Sequence, residues 1–136
     1  MKTLLKIKTK PNFDCIDITP EVEDFVQNCE IEEGSVLIFT KGSTGAITTM
    51  EYKEGVIQDL KNALEKIAPK NEPYEHIKDW GDDNGFSHVR AAFMKPSILV
   101  PFENKQLQLG TWQQIVLLNF DTKEREREVI LRILTS

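Results

Sequence analysis

The chain has two histidines, His76 and His88, and they bracket a stretch that also holds Asp79, Asp82 and Asp83. Imidazole exchanges its proton near neutral pH. Two of them among carboxylates could divide the work of base and acid, or hold a divalent cation, with His88, His76 and Asp83 as the donors. The spacing matches no standard zinc pattern such as HExxH, and taken alone the stretch reads better as a solvated acidic loop. Trp80 argues the other way, because a large indole among Gly and Asp packs on something, either a ligand or a neighbouring subunit. Near the start of an expected helix, His88 is favoured in its neutral form by the helix dipole. That form ligates a metal or accepts a proton; a histidine hydrogen bonded to backbone is the plainer alternative.

A second group lies in Lys41-Gly42-Ser43-Thr44-Gly45, between two apolar runs. Two glycines allow positive φ and let successive N–H groups point one way. The result is an anion nest with the Ser43 and Thr44 hydroxyls as further donors. An ordinary tight connection between strands is an equal reading of the same residues. The P-loop pattern is absent. A third group is Leu109-Gly110-Thr111-Trp112-Gln113-Gln114, where Gly110 before a bulky Trp suggests a bulge or a close backbone approach. One of the two glutamines must point inward and find partners. Glu51 and Asp59 border apolar elements and are surface residues on local grounds. The run Lys123-Glu124-Arg125-Glu126-Arg127-Glu128 alternates in sign and reads as a solvated turn and strand start. The minority reading makes Arg125 or Arg127 a phosphate ligand.

The elements that must position these groups follow from periodicity. Residues 2–9 alternate with lysines and predict an edge strand, with 13–18 as its hairpin partner across Pro11-Asn12. Thr19 as N-cap and Pro20 at the first helical position open a helix, and Val22, Phe25, Val26 and Cys29 form its stripe. Residues 36–39 predict a strand buried on both faces, and 46–52 another strand. Val56, Ile57, Leu60, Ala63, Leu64 and Ile67 mark a helix that Pro69 ends. Residues 70–85 predict a long irregular loop, functional or mobile. Ser87 is then expected to cap a short helix from His88 to Met94. Strands follow at 98–102, 107–109, 115–120 and 128–134, with Glu103-Asn104-Lys105 as a hairpin turn. This order predicts one domain over residues 1–136, α+β in class, with helices packed on largely antiparallel sheet.

Composition bounds the function. The 136 residues are 40% hydrophobic and 29% charged, with a formal net charge of −5. An acidic chain has no general field for nucleic acid. No window approaches the ~20 apolar residues of a membrane span, and the N-terminal alternation is not a signal peptide, so the cytoplasm is the expected compartment. Cys15 and Cys29 form no CxxC pair and no disulfide framework; Cys29, on the helix stripe, reads as buried and reduced.

Several of these stretches resemble a known family in order along residues 35–134. Gly42-Ser43-Thr44-Gly45-Ala46-Ile47-Thr48-Thr49-Met50-Glu51 looks like the HTTAALTINE block of YjbQ-type proteins, and Asp59 falls where that family has an Asp. Asn84-Gly85-Phe86-Ser87-His88-Val89-Arg90-Ala91 resembles its N-x-x-A-H-L-K-A block. Ser97 to Phe102 resembles P-S-x-x-x-P-x, and Leu109-Gly110-Thr111-Trp112-Gln113-Gln114-Ile115 resembles LGTWQGI. The resemblance implies a mixed, largely antiparallel β-sandwich with helices against it, assembled as a homotrimer. It implies a pocket containing Trp80, Asn84, Thr111, Trp112 and Gln113, and a secondary thiamine-phosphate synthase activity that joins a pyrimidine diphosphate to a thiazole phosphate. For that chemistry it implies Ser43, Thr44 and Arg125 on phosphate, His88, His76, Glu51 and Asp59 as catalytic groups, and Mg or another divalent metal held by His88, His76 and Asp83. The alternative is a trimeric module that binds a small anion or metal without turnover. This sequence departs from the family pattern at two places. Gly42 stands where the family commonly has His, and Asn119 falls near the family's acidic residue.

Overall fold

The structure, a computed structural model, describes residues 1–135. The chain runs β1 (Lys2–Thr9), β2 (Asp14–Asp17), α1 (Thr19–Gln27), β3 (Glu33–Thr40), β4 (Gly45–Met50), α2 (Glu54–Ile67), α3 (His76–Trp80), α4 (Gly85–Met94), β5 (Ser97–Glu103), β6 (Gln106–Leu107), β7 (Gln114–Asn119) and β8 (Arg125–Leu134). Two sheets form, in the orders β1-β8-β3-β5-β6 and β2-β7-β4. Every strand pair among the described residues is antiparallel. The fold is α+β, as the element order predicts.

The layers follow from which faces are apolar. Val36 and Ile38 on β3, Val100 and Phe102 on β5, and Val129, Leu131 and Ile133 on β8 point inward from the larger sheet. They meet Ile47, Ile115 and Leu117 from the smaller sheet, with Val22 and Val26 of α1 closing the side. The opposite face of the smaller sheet carries Ala46, Val116, Leu118 and Phe120 and packs on Leu64 of α2 and Ala91 of α4. Ile115 to Phe120 is therefore buried on both faces, which explains why β7 reads as a solid apolar run rather than an alternating one. Strand β3 differs from expectation. Val36 and Ile38 are fully buried, whereas Leu37 and Phe39 on its other face are half-buried.

Other local expectations are corrected. β1 is an edge strand, but its partner is β8 and not the following segment. Asn12, at φ 73°, turns the chain so that β2 joins β7 in the other sheet. Thr19 lies inside α1, after Ile18 at the cap, and its Oγ1 accepts from Ile115 N at 2.8 Å. The hydroxyl is spent on joining α1 to β7 instead of capping. The 70–85 stretch is not wholly irregular, since α3 forms within it and ends at Gly81 in the left-handed region. α4 begins at Gly85, three residues ahead of the expected start, because Asn84 takes the cap position. Ser87 is inside the helix and donates to Asn84 O at 2.5 Å.

Cys15 and Cys29 are both free and buried. Burial, followed by the charges of Asp14 and Asp17, pushes the Cys15 thiol up to about 12, so it stays protonated and inert. No helix among the described residues is long and apolar enough to cross a membrane.

The β5–β6 hairpin turns through Asn104 and Lys105, at φ 52° and 60°. Two left-handed residues make a type I′ turn, which suits Asn at the first place and Gly at the second. Lys105→Gly relieves that strain and should raise stability by about 1 kcal/mol. An unchanged or lower urea midpoint would contradict this account of the turn.

Candidate functional site

One cavity of about 610 Å³ gathers residues from four separated segments: the 41–44 turn, the α3–α4 region, Asp121 after β7, and the start of β8. The sheet register assembles it. Gly45, the first residue of β4, pairs with Asn119, the last of β7, so the turn before β4 lies beside the segment after β7. Phe120 N donates to Thr44 O at 2.9 Å and fixes that contact.

Asp121 is fully buried there. Its Oδ2 accepts from Thr44 Oγ1 at 3.1 Å and from Arg125 Nε at 3.0 Å, and Arg125 Nη2 lies 2.8 Å away. Burial opposes the carboxylate charge, but the hydrogen bonds from Arg125 and Thr44 outweigh it and hold the pKa below its ordinary value. Arg127 is buried beside it, 5% exposed. Its Nη2 donates to Thr44 Oγ1 at 2.8 Å and to Asn119 Oδ1, while Nε has no partner. Of the two positions where the sequence departs from the family pattern, Asn119 accepts from Arg127, and Gly42 lies where an added Cβ would stand 3.0 Å from Arg127 Nη1.

The histidines converge. A Cβ on Gly85 would stand 2.7 Å from Tyr74 Cβ and 3.0 Å from His76 Cβ, so a glycine at the head of α4 lets the start of α3 settle against it. The His76 and His88 rings then lie 4.5 Å apart, tilted by 31°. Asp82 Oδ1 is 2.8 Å from His76 Nδ1, at an angle that leaves Nδ1 without a formed hydrogen bond. His88 is depressed below the ordinary imidazole pKa, first by burial and then by the neighbouring His76; Asp121, Asp82 and the Ser43 backbone act the other way. Near pH 7 it is a neutral imidazole facing a cavity also lined by Lys41, Arg125 and Arg127.

The cavity brings together Ser43, Thr44, His76, Trp80, Asn84, His88 and Arg125. Trp80 is 76% exposed at the rim. The Asn84 amide lies 3.4 Å from Asp121 Oδ1 or, turned over, 3.0 Å from Asp82 Oδ1. The other expected residues are elsewhere. Asp83 accepts from Thr122 Oγ1 at 3.4 Å and lines a different depression. Asp59 is exposed on α2. Glu51, Thr111, Trp112 and Gln113 are exposed at the far end of β4, where Gln113 Nε2 donates to Thr49 Oγ1 at 3.2 Å and Lys53 Nζ lies 5.4 Å from the Trp112 ring. Six residues of strand put roughly 17 Å between the two ends of β4.

Sequence reading missed Asp121 and gave Arg127 only a minor place. Both had a signal. Asp121 directly follows a strand buried on both faces, and Arg127 shares the inward parity of Val129, Leu131 and Ile133.

Among the described residues no three of His, Cys, Asp or Glu converge on a point. The two imidazole rings lie tilted against each other, and the buried carboxylate is taken by Arg125.

The His88 shift sets a pH dependence. A histidine whose folded pKa lies below 6.5 binds its proton more readily when unfolded. Stability should therefore fall as pH drops through 6.5 and level off below the folded value. His88→Gln should gain melting temperature relative to wild type at pH 5 compared with pH 8. A His88 NMR titration midpoint at or above 6.5 would contradict this.

A family model described as "UPF0047 protein YjbQ-like" matches residues 3–136. A UPF0047 protein of Archaeoglobus fulgidus is 37% identical over 130 residues, covering 96% of this chain and 98% of its own. UPF0047 protein YugU of Bacillus subtilis is 35% identical over 89% of this chain and 90% of its own. The crystal structure of a YbjQ-like protein of unknown function from Sulfolobus solfataricus superposes with a TM-score of 0.93 at 29% identity, covering 100% of this chain and 97% of that one. With the family model matching residues 3–136 and relatives 35–37% identical over nearly the whole chain, this chain belongs to the UPF0047 family of YjbQ-like proteins.

Proposed function

We propose that the cavity binds a phosphorylated small molecule, with the oxyanion on the 42–44 turn and the arginines and with His88 placed to accept a proton from the ligand or hydrogen bond to it. The observation that carries this reading is the meeting of Ser43, Thr44, Arg125, Arg127 and two imidazoles in one cavity of about 610 Å³. Preorganised donors of this kind stabilise charge that develops on a phosphate leaving group.

The resemblance to YjbQ-type proteins supplies a specific reaction, thiamine-phosphate formation. The thiazole ring nitrogen attacks the pyrimidine methylene carbon, the C–O bond to diphosphate breaks, and pyrophosphate leaves onto the guanidinium groups. The attacking ring nitrogen has no proton to lose, so in this reaction His88 positions the ligand and does not act as a base. The second reading is a binding module without turnover. It is favoured by Asp121, whose carboxylate is engaged by Arg125 and Thr44 and orients no imidazole.

We extend the proposal to assembly as a homotrimer. The outer face of the larger sheet presents Leu4 opposite Ile130, and Leu37 opposite Leu99, with Leu4 and Leu99 exposed. Such an apolar face is what a second copy would cover. Light scattering of purified protein should give three times the chain mass, with Leu99→Glu shifting it to monomer. A monomeric wild type would remove the assembly.

Pyrophosphate at a hundredfold excess over Kd should stabilise the fold by about 2.7 kcal/mol, seen as a rise of several degrees in Tm. No shift with phosphate, pyrophosphate or the pyrimidine diphosphate would reject the anion site. Thiamine-phosphate formation should be measured beside it, with His88→Ala. Turnover reduced in the variant supports the transferase. A ligand shift without turnover selects the binding module, and equal turnover in both proteins removes His88 from the mechanism.

A further inference from the structure

Three cations line the cavity, and two have partners: Lys41 Nζ lies 3.3 Å from Glu128, and Arg125 Nη2 lies 2.8 Å from Asp121. Arg127 makes no ion pair among the described residues, although it is the most buried of the three. Its Nη2 is spent on Thr44 and Asn119, while Nε is buried and unpartnered. A guanidinium removed from water keeps its charge; burial disfavours that charge here, and Asp121, linked to it only through the Thr44 hydroxyl, favours it.

The chain makes dedicated room for it. A Cβ on Gly42 would stand 3.0 Å from Arg127 Nη1. A Cβ on Gly45 would stand 3.0 Å from Arg127 Cζ and 3.1 Å from Nε. Gly42 is also held at φ 109°, which side-chain-bearing residues rarely adopt. Both glycines of the Gly-Ser-Thr-Gly turn therefore serve the guanidinium as well as the turn. Two of the four acids that line the cavity are paired with cations in place. Asp121 is held by Arg125 and Glu128 by Lys41, and Asp82 sits beside His76; Glu126 makes no ion pair among the described residues.

We infer that Arg127 is the resident counter-charge of this site, so that the cavity takes a phosphate or diphosphate group directly on its guanidinium and needs no divalent metal to bridge it. This rests on the cavity being an oxyanion site and goes further by naming what replaces the metal. Nη1, the nitrogen not spent on Thr44 and Asn119, is left to meet a phosphate oxygen. A divalent cation placed among Arg125 and Arg127 would be repelled, and its only fully buried carboxylate is already occupied.

The test is calorimetric titration of inorganic pyrophosphate into full-length protein stripped of metal with a chelator, and into the same protein after Mg²⁺ or Zn²⁺ is restored. Affinity should agree within about twofold between the two. Arg127→Gln should weaken binding about tenfold or more, and Arg127→Lys, which keeps the charge but loses the planar guanidinium, by less. Binding that appears only with metal restored overturns the inference while leaving the oxyanion site standing. Arg127→Gln with an intact melting transition and wild-type affinity also overturns it. Binding in neither preparation removes the oxyanion site itself. Should Arg127→Gln fail to fold, the chelator comparison on wild type still decides.

Discussion

The Asp121 carboxylate, withdrawn from water at the end of β7, is the constraint around which the cavity is organised. A buried carboxylate must be met by donors, and here they come from two distant parts of the chain: the Thr44 hydroxyl before β4 and the Arg125 guanidinium at the head of β8. Satisfying that one charge brings the 42–44 turn and the β8 start together. Thr44 then serves twice, donating to Asp121 while accepting from Arg127. Networks of this kind are stiff because loosening one member strands another.

Charge distribution gives the site its character. The protein as a whole is acidic, at −5, yet the floor of this cavity carries a buried cation with no carboxylate in ion-pair contact. Beside it His88 is kept neutral mainly by burial. The proposed oxyanion site draws on this fixed positive charge and uncharged imidazole.

Much of the fold was legible in the sequence, since periodicity locates every strand that alternates or is solidly apolar, and α1 and α2 declare themselves by their stripes. What was not legible depended on tertiary partners. The chain does not say locally that β1 pairs with β8, because nearest-neighbour hairpins are the default and Asn12 overrides it with a single positive φ. α3 is too short to carry a periodic signal, and Thr19 looks like a cap until β7 claims its hydroxyl. The site was legible in part for the same reason. The Gly-Ser-Thr-Gly turn and the histidines advertise themselves by composition, and they do share a cavity. Glu51, Trp112 and Gln113 belong to equally suggestive stretches, but strand direction carries them to the opposite end of β4. Arg127 hides inside an alternating charged run, and only its parity with Val129 separates it from its solvated neighbours.

The most direct test is to map pyrophosphate onto the protein by amide and imidazole NMR. The account predicts that Gly42, Ser43, Thr44, the His88 ring and the Arg127 side chain shift together and saturate along one curve. Shifts confined to the Thr111–Gln113 end of β4, or none at all, would contradict it.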